Sequence, residues 1–488
     1  MQNAKHDRTQ IALWQPVTRR SAISGLSLAM LSLAAGCAGA IEPDSREDQI
    51  DGVADGLLFD TFFYAYGPYE FARTVQSLSG QTDVDTSIVS KEAINEAKAH
   101  LSGGAFLNRE IHMTELADET MRAVTAPNND TLYTSSVLEL SRTPVRLTIP
   151  KSGNRYLSVA FFDMFTDQAA ILGPKQHRGR GGEYVIVGPD GTAPKGANVV
   201  RLPSNDIWML ARTFVAGPDD LGSARRTQAG ITVRALDQTA KPRPFITKAP
   251  RNLKGQSFLA LTNEVLGRSP SHPQVKRAAS FAERGIVPGD LHTWDRLRRV
   301  TRARWNRILP RTEPLLKKGL DLQRASHGWT RPPSILADYG ANDLVRAAVA
   351  LIGFGALRPE DALYFNTAVD GAGQSLDGKN TYAMTLPAGG VPVDAFWSLS
   401  LYAPDRSGRL FFYSTPNNRH SVNSRSDNLV QREDGTIELH MSREKPSDTD
   451  VVWMPLPDGP FEAIFRTYLP GKPLLSGQWQ VPPITRID

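Results

Sequence analysis

The chain has 488 residues, of which 40% are hydrophobic and 22% charged, so it is long enough for two to four domains and is neither disordered nor fibrous. Its single cysteine, Cys37, excludes an internal disulfide and any multi-cysteine zinc, haem or iron–sulfur site. The formal charge is +5, and Lys5, Arg8, Arg19 and Arg20 near the N-terminus supply much of it, so the basic balance makes no case for nucleic-acid binding.

Arg19-Arg20 precede an apolar stretch from Ala22 to Ala35, too short to span a bilayer comfortably. This predicts an export signal over residues 1–40, of twin-arginine type or of the general secretory type. Two cleavage readings stand side by side. Leu33-Ala34-Ala35-Gly36-Cys37 resembles a bacterial lipobox, which would place a lipid on Cys37 and make the protein an anchored lipoprotein. Ala38-Gly39-Ala40 offers an A-x-A site that would release the chain into the periplasm. No later run is apolar enough for a membrane span.

Residues 41–54 are polar and acidic and read as a tether. Leu57, Phe62, Tyr66 and Phe71-Ala72 recur at helical spacing, with an interruption expected at Gly67-Pro68. Residues 91–101 are rich in helix formers. From residue 122 the period changes to two, and strands are predicted over 131–140, 145–149, 156–165, 183–187 and 207–216. Helices follow over 258–266, 275–283, 291–309 and 314–325. The third carries Arg296, Arg298, Arg299, Arg302, Arg304 and Arg307 and reads as a solvated face with Trp294 and Trp305 turned inward.

A short apolar helix is predicted over 342–353, then strands over 381–386, 396–402, 410–413, 436–441, 451–454 and 461–469. Asp434-Gly435 is a hairpin turn signal. The 39 glycines and 34 prolines fit a turn-rich β protein. The expected fold is mainly β with α: two antiparallel β-sandwich domains, at 55–245 and 342–488, joined by a helical connector at 246–341.

Several short motifs add a resemblance. Ala65-Tyr66-Gly67-Pro68, Pro127-Asn128-Asn129-Asp130-Thr131-Leu132-Tyr133, Arg155-Tyr156 and Asp163 resemble the family called domain of unknown function 1254. Arg358-Pro359-Glu360-Asp361-Ala362, Asp377-Gly378, Ala395-Phe396-Trp397-Ser398, Asn417-Asn418-Arg419, Asp434-Gly435-Thr436, Trp453-Met454-Pro455 and Arg466-Thr467-Tyr468 resemble its usual companion, domain of unknown function 1214. The resemblance implies two jelly-roll-like sandwiches in bacterial proteins that are often exported. It brings no agreed catalytic residues with it.

The motifs themselves suggest a polar pocket. Asn129, Asp130 and Tyr133 are the first ligand-binding candidates, with Arg155 and Asp163 on the following strands. The same Asn-Asn-Asp run also suits a tight turn held by side-chain bonds to the backbone, and Arg155 and Asp163 equally suit an ion pair. Trp397 suits either the core or a flat ligand, and Arg419 suits an anion clamp or a loop-pinning bond. His420 with His440, and Asp370 with Asp377, are weak metal candidates; the expected set contains no metal and no cofactor.

No nucleophile elbow, zinc helix or phosphate loop occurs. The expected function is an exported cell-envelope protein that binds a small molecule, a glycan, a lipid-derived molecule or an envelope protein between its two β domains. The expectation includes no nucleic acid, and membrane contact only through Cys37. The alternatives are a hydrolase with Asp130 and Asp163 as acid and base, and a self-assembling homo-oligomer built through sheet edges.

Overall fold

The computed structural model describes residues 46–81, 106–122, 125–250, 252–320, 326–406, 408–416 and 419–488. The leader, Cys37, the helix expected at 91–101 and the pair Asn417-Asn418 lie outside the described residues. The chain divides into units at 1–58 and 59–488, and every strand belongs to the second.

Strands dominate. The first half holds β1 (Ile111–Met113), β2 (Thr131–Glu139), β3 (Val145–Ile149), β4 (Leu157–Phe162) and β5 (Gln168–Leu172). It continues with β6 (Gly182–Val187), β7 (Val199–Arg201), β8 (Asp206–Phe214) and β9 (Thr232–Ala235). They form an inner sheet, β1-β2-β8-β4-β5, and an outer sheet, β7-β6-β3-β9. Alternation in β3 explains its place: Val145, Leu147 and Ile149 are buried while Arg146 is exposed. These three pack with Leu157, Val159, Phe161, Met209 and Ala211 of the inner sheet into one dry core.

The second half repeats the plan. It holds β10 (Ala362–Thr367), β11 (Tyr382–Leu386), β12 (Val393–Pro404), β13 (Leu410–Phe411) and β14 (Ser421–Asn423). Then come β15 (Ile437–Ser442), β16 (Val452–Pro455), β17 (Glu462–Pro470) and β18 (Thr485–Arg486). Its inner sheet runs β10-β17-β12-β13, with β14 also on β12, and its outer sheet runs β16-β15-β11-β18. Trp397, Leu399 and Phe465 from the inner sheet pack with Met384, Leu439 and Met441 from the outer one. Pairing is antiparallel apart from β6–β7 and β15–β16. The fold is therefore mainly β, with two sandwiches and a helical region between them.

The helical region holds α1 (Arg46–Leu78), which precedes the sandwiches, and α2 (Gly255–Arg268), α3 (Arg299–Leu320) and α4 (Asp343–Gly353), which separate them. Trp305 of α3 is fully buried and donates through Nε1 to the Arg284 carbonyl (3.1 Å), while Arg298, Arg299 and Arg307 are exposed.

Two local expectations need correction. Gly67-Pro68 does not interrupt α1, which runs through it. Gly67 is instead a contact point: a Cβ there would come within 2.8 Å of the Arg346 side chain. Asp434-Gly435 forms a turn, with Gly435 at φ +81°, yet β15 after it pairs with β11 and β16 rather than with the chain just before the turn.

Candidate functional site between the two sandwiches

β4 and β8 are buried along their whole length, and β17 along all but its first residue. Each inner sheet is therefore covered on both faces. One face closes its own sandwich. The other faces turn toward each other and meet through rings: Phe214 against Phe396 at 4.1 Å, and Tyr156 against Phe396 and Tyr468 at 5.6 and 5.3 Å.

The register fixes what fills this layer. Arg212 of β8 stands between Tyr133 of β2 and Ser158 of β4 on one side. Arg466 of β17 stands between Tyr364 of β10 and Ser398 of β12 on the other. A dry sheet-to-sheet contact would carry apolar side chains at these positions. Here they are arginine, tyrosine and serine.

Arg466 is well satisfied. It is 2% exposed. It donates to Ser400 Oγ (2.9 Å), the Tyr402 hydroxyl (2.7 Å) and the Ala126 carbonyl (3.2 Å), leaving only Nε without a partner. Tyr402 in turn donates to the Pro127 carbonyl at 2.6 Å.

Arg212 is different. It is 4% exposed, and its Nη2 donates to the Gly355 carbonyl at 2.8 Å. Nε and Nη1 have no partner. Its guanidinium lies 5.7 Å from the Tyr133 ring centre, and no carboxylate among the described residues bridges to it. Burial pulls its pKa down and the surrounding Tyr364, Tyr133, Tyr468 and Tyr156 push it up, with a net rise. It stays charged.

Gly355 holds its carbonyl there with φ at +93°, and a Cβ at that residue would come within 2.9 Å of the Trp208 ring. A side chain at position 355 is thus disfavoured twice.

The layer collects other buried polar atoms: Thr131 Oγ1 without a partner, the Tyr156 hydroxyl beside Ser158 Oγ, and Asp130 Oδ2 beside Ser398 Oγ; Asn129 Oδ1, next along the chain from Asp130, is also buried without a partner. Burial pushes the Tyr156, Tyr364 and Tyr468 hydroxyls above their ordinary range, so they remain protonated donors. The Tyr364 and Tyr468 hydroxyls lie 2.9 Å apart, and Asn128 Nδ2 donates to Tyr468 at 2.6 Å.

The sequence candidates separate clearly. Asn129, Asp130 and Tyr133 lie at this layer. Asp130 is 1% exposed, and its Oδ1 accepts from Ser421 and Asn423, both at 3.2 Å. Burial raises its pKa; the Ser398 hydroxyl beside its carboxylate and the Arg466 charge oppose the rise. The turn reading holds alongside: Asn128 Oδ1 accepts from the Asp130 amide at 2.7 Å.

The others lie elsewhere. Arg155 does pair with an acid, but with Asp220 (2.5 and 2.6 Å) and not with Asp163. Asp163 accepts from His272 Nε2 at 3.1 Å and from the Phe165 amide at 2.8 Å. Its neighbour Asp167 has its pKa raised to about 6, by burial first and then by the Asp163 charge.

Asp130 precedes the Thr131–Phe214 pair, whereas Asp163 follows the Phe162–Trp208 pair. Six residues of strand, about 20 Å, separate those ends. The two carboxylates therefore do not form an acid–base pair.

Trp397 packs in the second dry core, stacked on Phe465 at 5.6 Å, on the opposite face from the layer. Arg419 pairs with Asp427 (2.8 Å) beside a cavity of about 10 Å³, room for roughly one water. His420 pairs with Glu119 and His440 lies near Glu438. Asp370 Oδ1 binds the Ala372 and Gln374 amides, and Asp377 Oδ1 the Lys379 amide. No group of three or more potential metal ligands occurs among the described residues.

Sequence reasoning missed Arg212, Tyr156, Ser158, Tyr364, Ser398, Arg466 and Tyr468 as site residues. A signal was present: Arg212 and Arg466 each interrupt a strand that is otherwise almost wholly apolar or small. A charged residue in such a strand needs a partner.

Comparison with known proteins places this layer across two families. Residues 107–235 match the family described as Protein of unknown function (DUF1254), and residues 361–472 match Protein of unknown function (DUF1214). No curated protein matches. The crystal structure of the VPA0106 protein from Vibrio parahaemolyticus has the same fold, with a TM-score of 0.67 at 22% identity over 89% of this chain and 100% of that one. An uncharacterized protein from Burkholderia cenocepacia gives a TM-score of 0.43 at 15% identity over 95% of this chain and 97% of that one. The two matches stand in the order the motifs suggest, and the polar layer takes residues from both matched regions.

Proposed function

We propose that this is an exported binding protein that holds a small ligand between its two β-sandwiches, at Tyr133, Tyr156, Ser158, Arg212, Tyr364 and Ser398. One observation carries the reading: Nε and Nη1 of Arg212 are buried without hydrogen-bond partners, beside the Tyr156 and Ser158 hydroxyls. An unpartnered buried polar group costs about 1–3 kcal/mol. Several at one place are characteristic of a site whose remaining partners arrive with a ligand. The buried position favours a small molecule or a short glycan or lipid fragment over a folded protein.

The export part of the reading rests on Arg19-Arg20 before the apolar run 22–35, and Cys37 within a lipobox-like sequence supports a lipid anchor. A hydrolase using Asp130 and Asp163 together gains no support, because the two residues stand at opposite ends of the inner sheet.

Thermal melts of the full chain against glucose, maltose, hexanoate, benzoate and their neutral amides test the binding. At least one compound is expected to raise Tm in a dose-dependent way. Tyr133→Phe and Ser158→Val are each expected to weaken that protection tenfold or more. Protection that survives both substitutions puts the ligand elsewhere.

A further inference from the structure

The polar layer holds charged donors that no acceptor within it takes up. Arg212 brings Nε and Nη1, both buried and unpartnered. The hydroxyls of Tyr133, Tyr156, Tyr364, Tyr468, Ser158 and Ser398 can each donate or accept, and those of Tyr364 and Tyr468 already bond each other. Against them stands one carboxylate, Asp130, and its Oδ1 is already engaged by Ser421 and Asn423.

Charge is unbalanced in the same direction. Asp130 lies within the electrostatic reach of Arg466 and is its natural counter-charge. Arg212 has none. A buried guanidinium without an anion is held at a cost of several kcal/mol. The chain nevertheless aims it into the layer and fixes it through the Gly355 carbonyl rather than replacing it with an apolar residue.

We infer that the ligand is a carboxylate bearing a single negative charge and an apolar or aromatic body, one of whose oxygens accepts from the Arg212 guanidinium. The inference rests on the proposed ligand site and specifies what it binds. One negative charge brings the layer to neutrality; a doubly charged phosphate would leave an excess negative charge in a water-poor place. With Nη2 held by the Gly355 carbonyl, the guanidinium keeps charged donors at Nε and Nη1, either of which a carboxylate oxygen can take. The surroundings of the guanidinium are aromatic, with Tyr133 beside it and Phe396 and Tyr468 stacked on each other at 4.2 Å, which suits an apolar body.

Two measurements on the full chain test this. The first is calorimetric titration with matched pairs: benzoate against benzamide, hexanoate against hexanamide, and inorganic phosphate. At least one acid is expected to bind at least tenfold more tightly than its amide and than phosphate, and Arg212→Gln is expected to abolish that preference. The second is the melting temperature of ligand-free Arg212→Met. Because the substitution removes an unpaired buried charge, Tm is expected to hold or rise.

An amide that binds as tightly as its acid, with binding lost in Tyr133→Phe, keeps the ligand site and overturns the anionic ligand. Phosphate binding tighter than either acid, or no binding by any acid, overturns it as well. A fall of more than about five degrees in Arg212→Met makes Arg212 a structural residue and removes the foundation of the inference.

Discussion

The two sandwich cores and the layer between them are built from the same strands, yet they follow different rules. Leu157, Val159 and Phe161 of β4 face a core in which the side chains are hydrophobic and fully buried. Tyr156 and Ser158, the residues next to them, face a layer of hydroxyls around a guanidinium with two unpartnered nitrogens. Alternation along one strand thus separates a face made for stability from a face that gives stability up. The difference teaches that burial alone does not mark a core; completeness of partners does.

Substitutions sharpen or break this contrast. The largest effect is expected in a dry core. Phe465 is fully buried and stacked on Trp397. Phe465→Ala is expected to cost about 3–5 kcal/mol in urea unfolding. A loss below about 1 kcal/mol would show that this core is loosely packed and that the contrast is false.

Next comes Arg466, the satisfied arginine of the layer. Arg466→Met strips Ser400, Tyr402 and the Ala126 carbonyl of their donor and leaves Asp130 without its counter-charge. The expected loss is about 3 kcal/mol, whereas Arg212→Met is expected to lose nothing. Equal losses at the two arginines would erase the distinction between a structural and a ligand-facing guanidinium.

The smallest effect is a slope. Burial raises the Asp130 pKa above its ordinary value, so the folded chain holds that proton more tightly than the unfolded chain. The stability from this group is complete below the ordinary carboxylate range and is lost as pH rises through the raised pKa. Asp130→Asn is therefore expected to gain on the wild type in urea midpoint between pH 4 and pH 7. A gap that stays constant across that range would mean the carboxylate is not strained by burial.

Much of this architecture was legible in the sequence, and the reason is local. β2, β3, β6 and β8 announce themselves through alternation and turn residues, and the helix formers around α2 and α3 do the same at their own period. The strands that escaped notice are β1, β5, β7, β9, β10, β14 and β18, most of them short. Gln168–Leu172 alternates poorly, and Ala362–Thr367 follows directly on a charged motif.

The layer was half legible. Asn129, Asp130 and Tyr133 sit in one conspicuous run, so a motif found them. Arg212 acquires its meaning only when β2 and β4 flank it and when Tyr364 and Tyr468 arrive from more than 150 residues downstream. No window along the chain contains that neighbourhood. Trp397 shows the reverse: conspicuous in the sequence, it turned out to be core because of which side of β12 it occupies.

The position of β17 has a consequence for how the molecule is made. Residues 462–470 supply Arg466 and Tyr468 to a surface whose other half was synthesised more than 240 residues before. Until they emerge, the flank of β8 carrying Arg212 has no lid. The nascent protein carries a wet, charged side until this strand arrives to complete its cover.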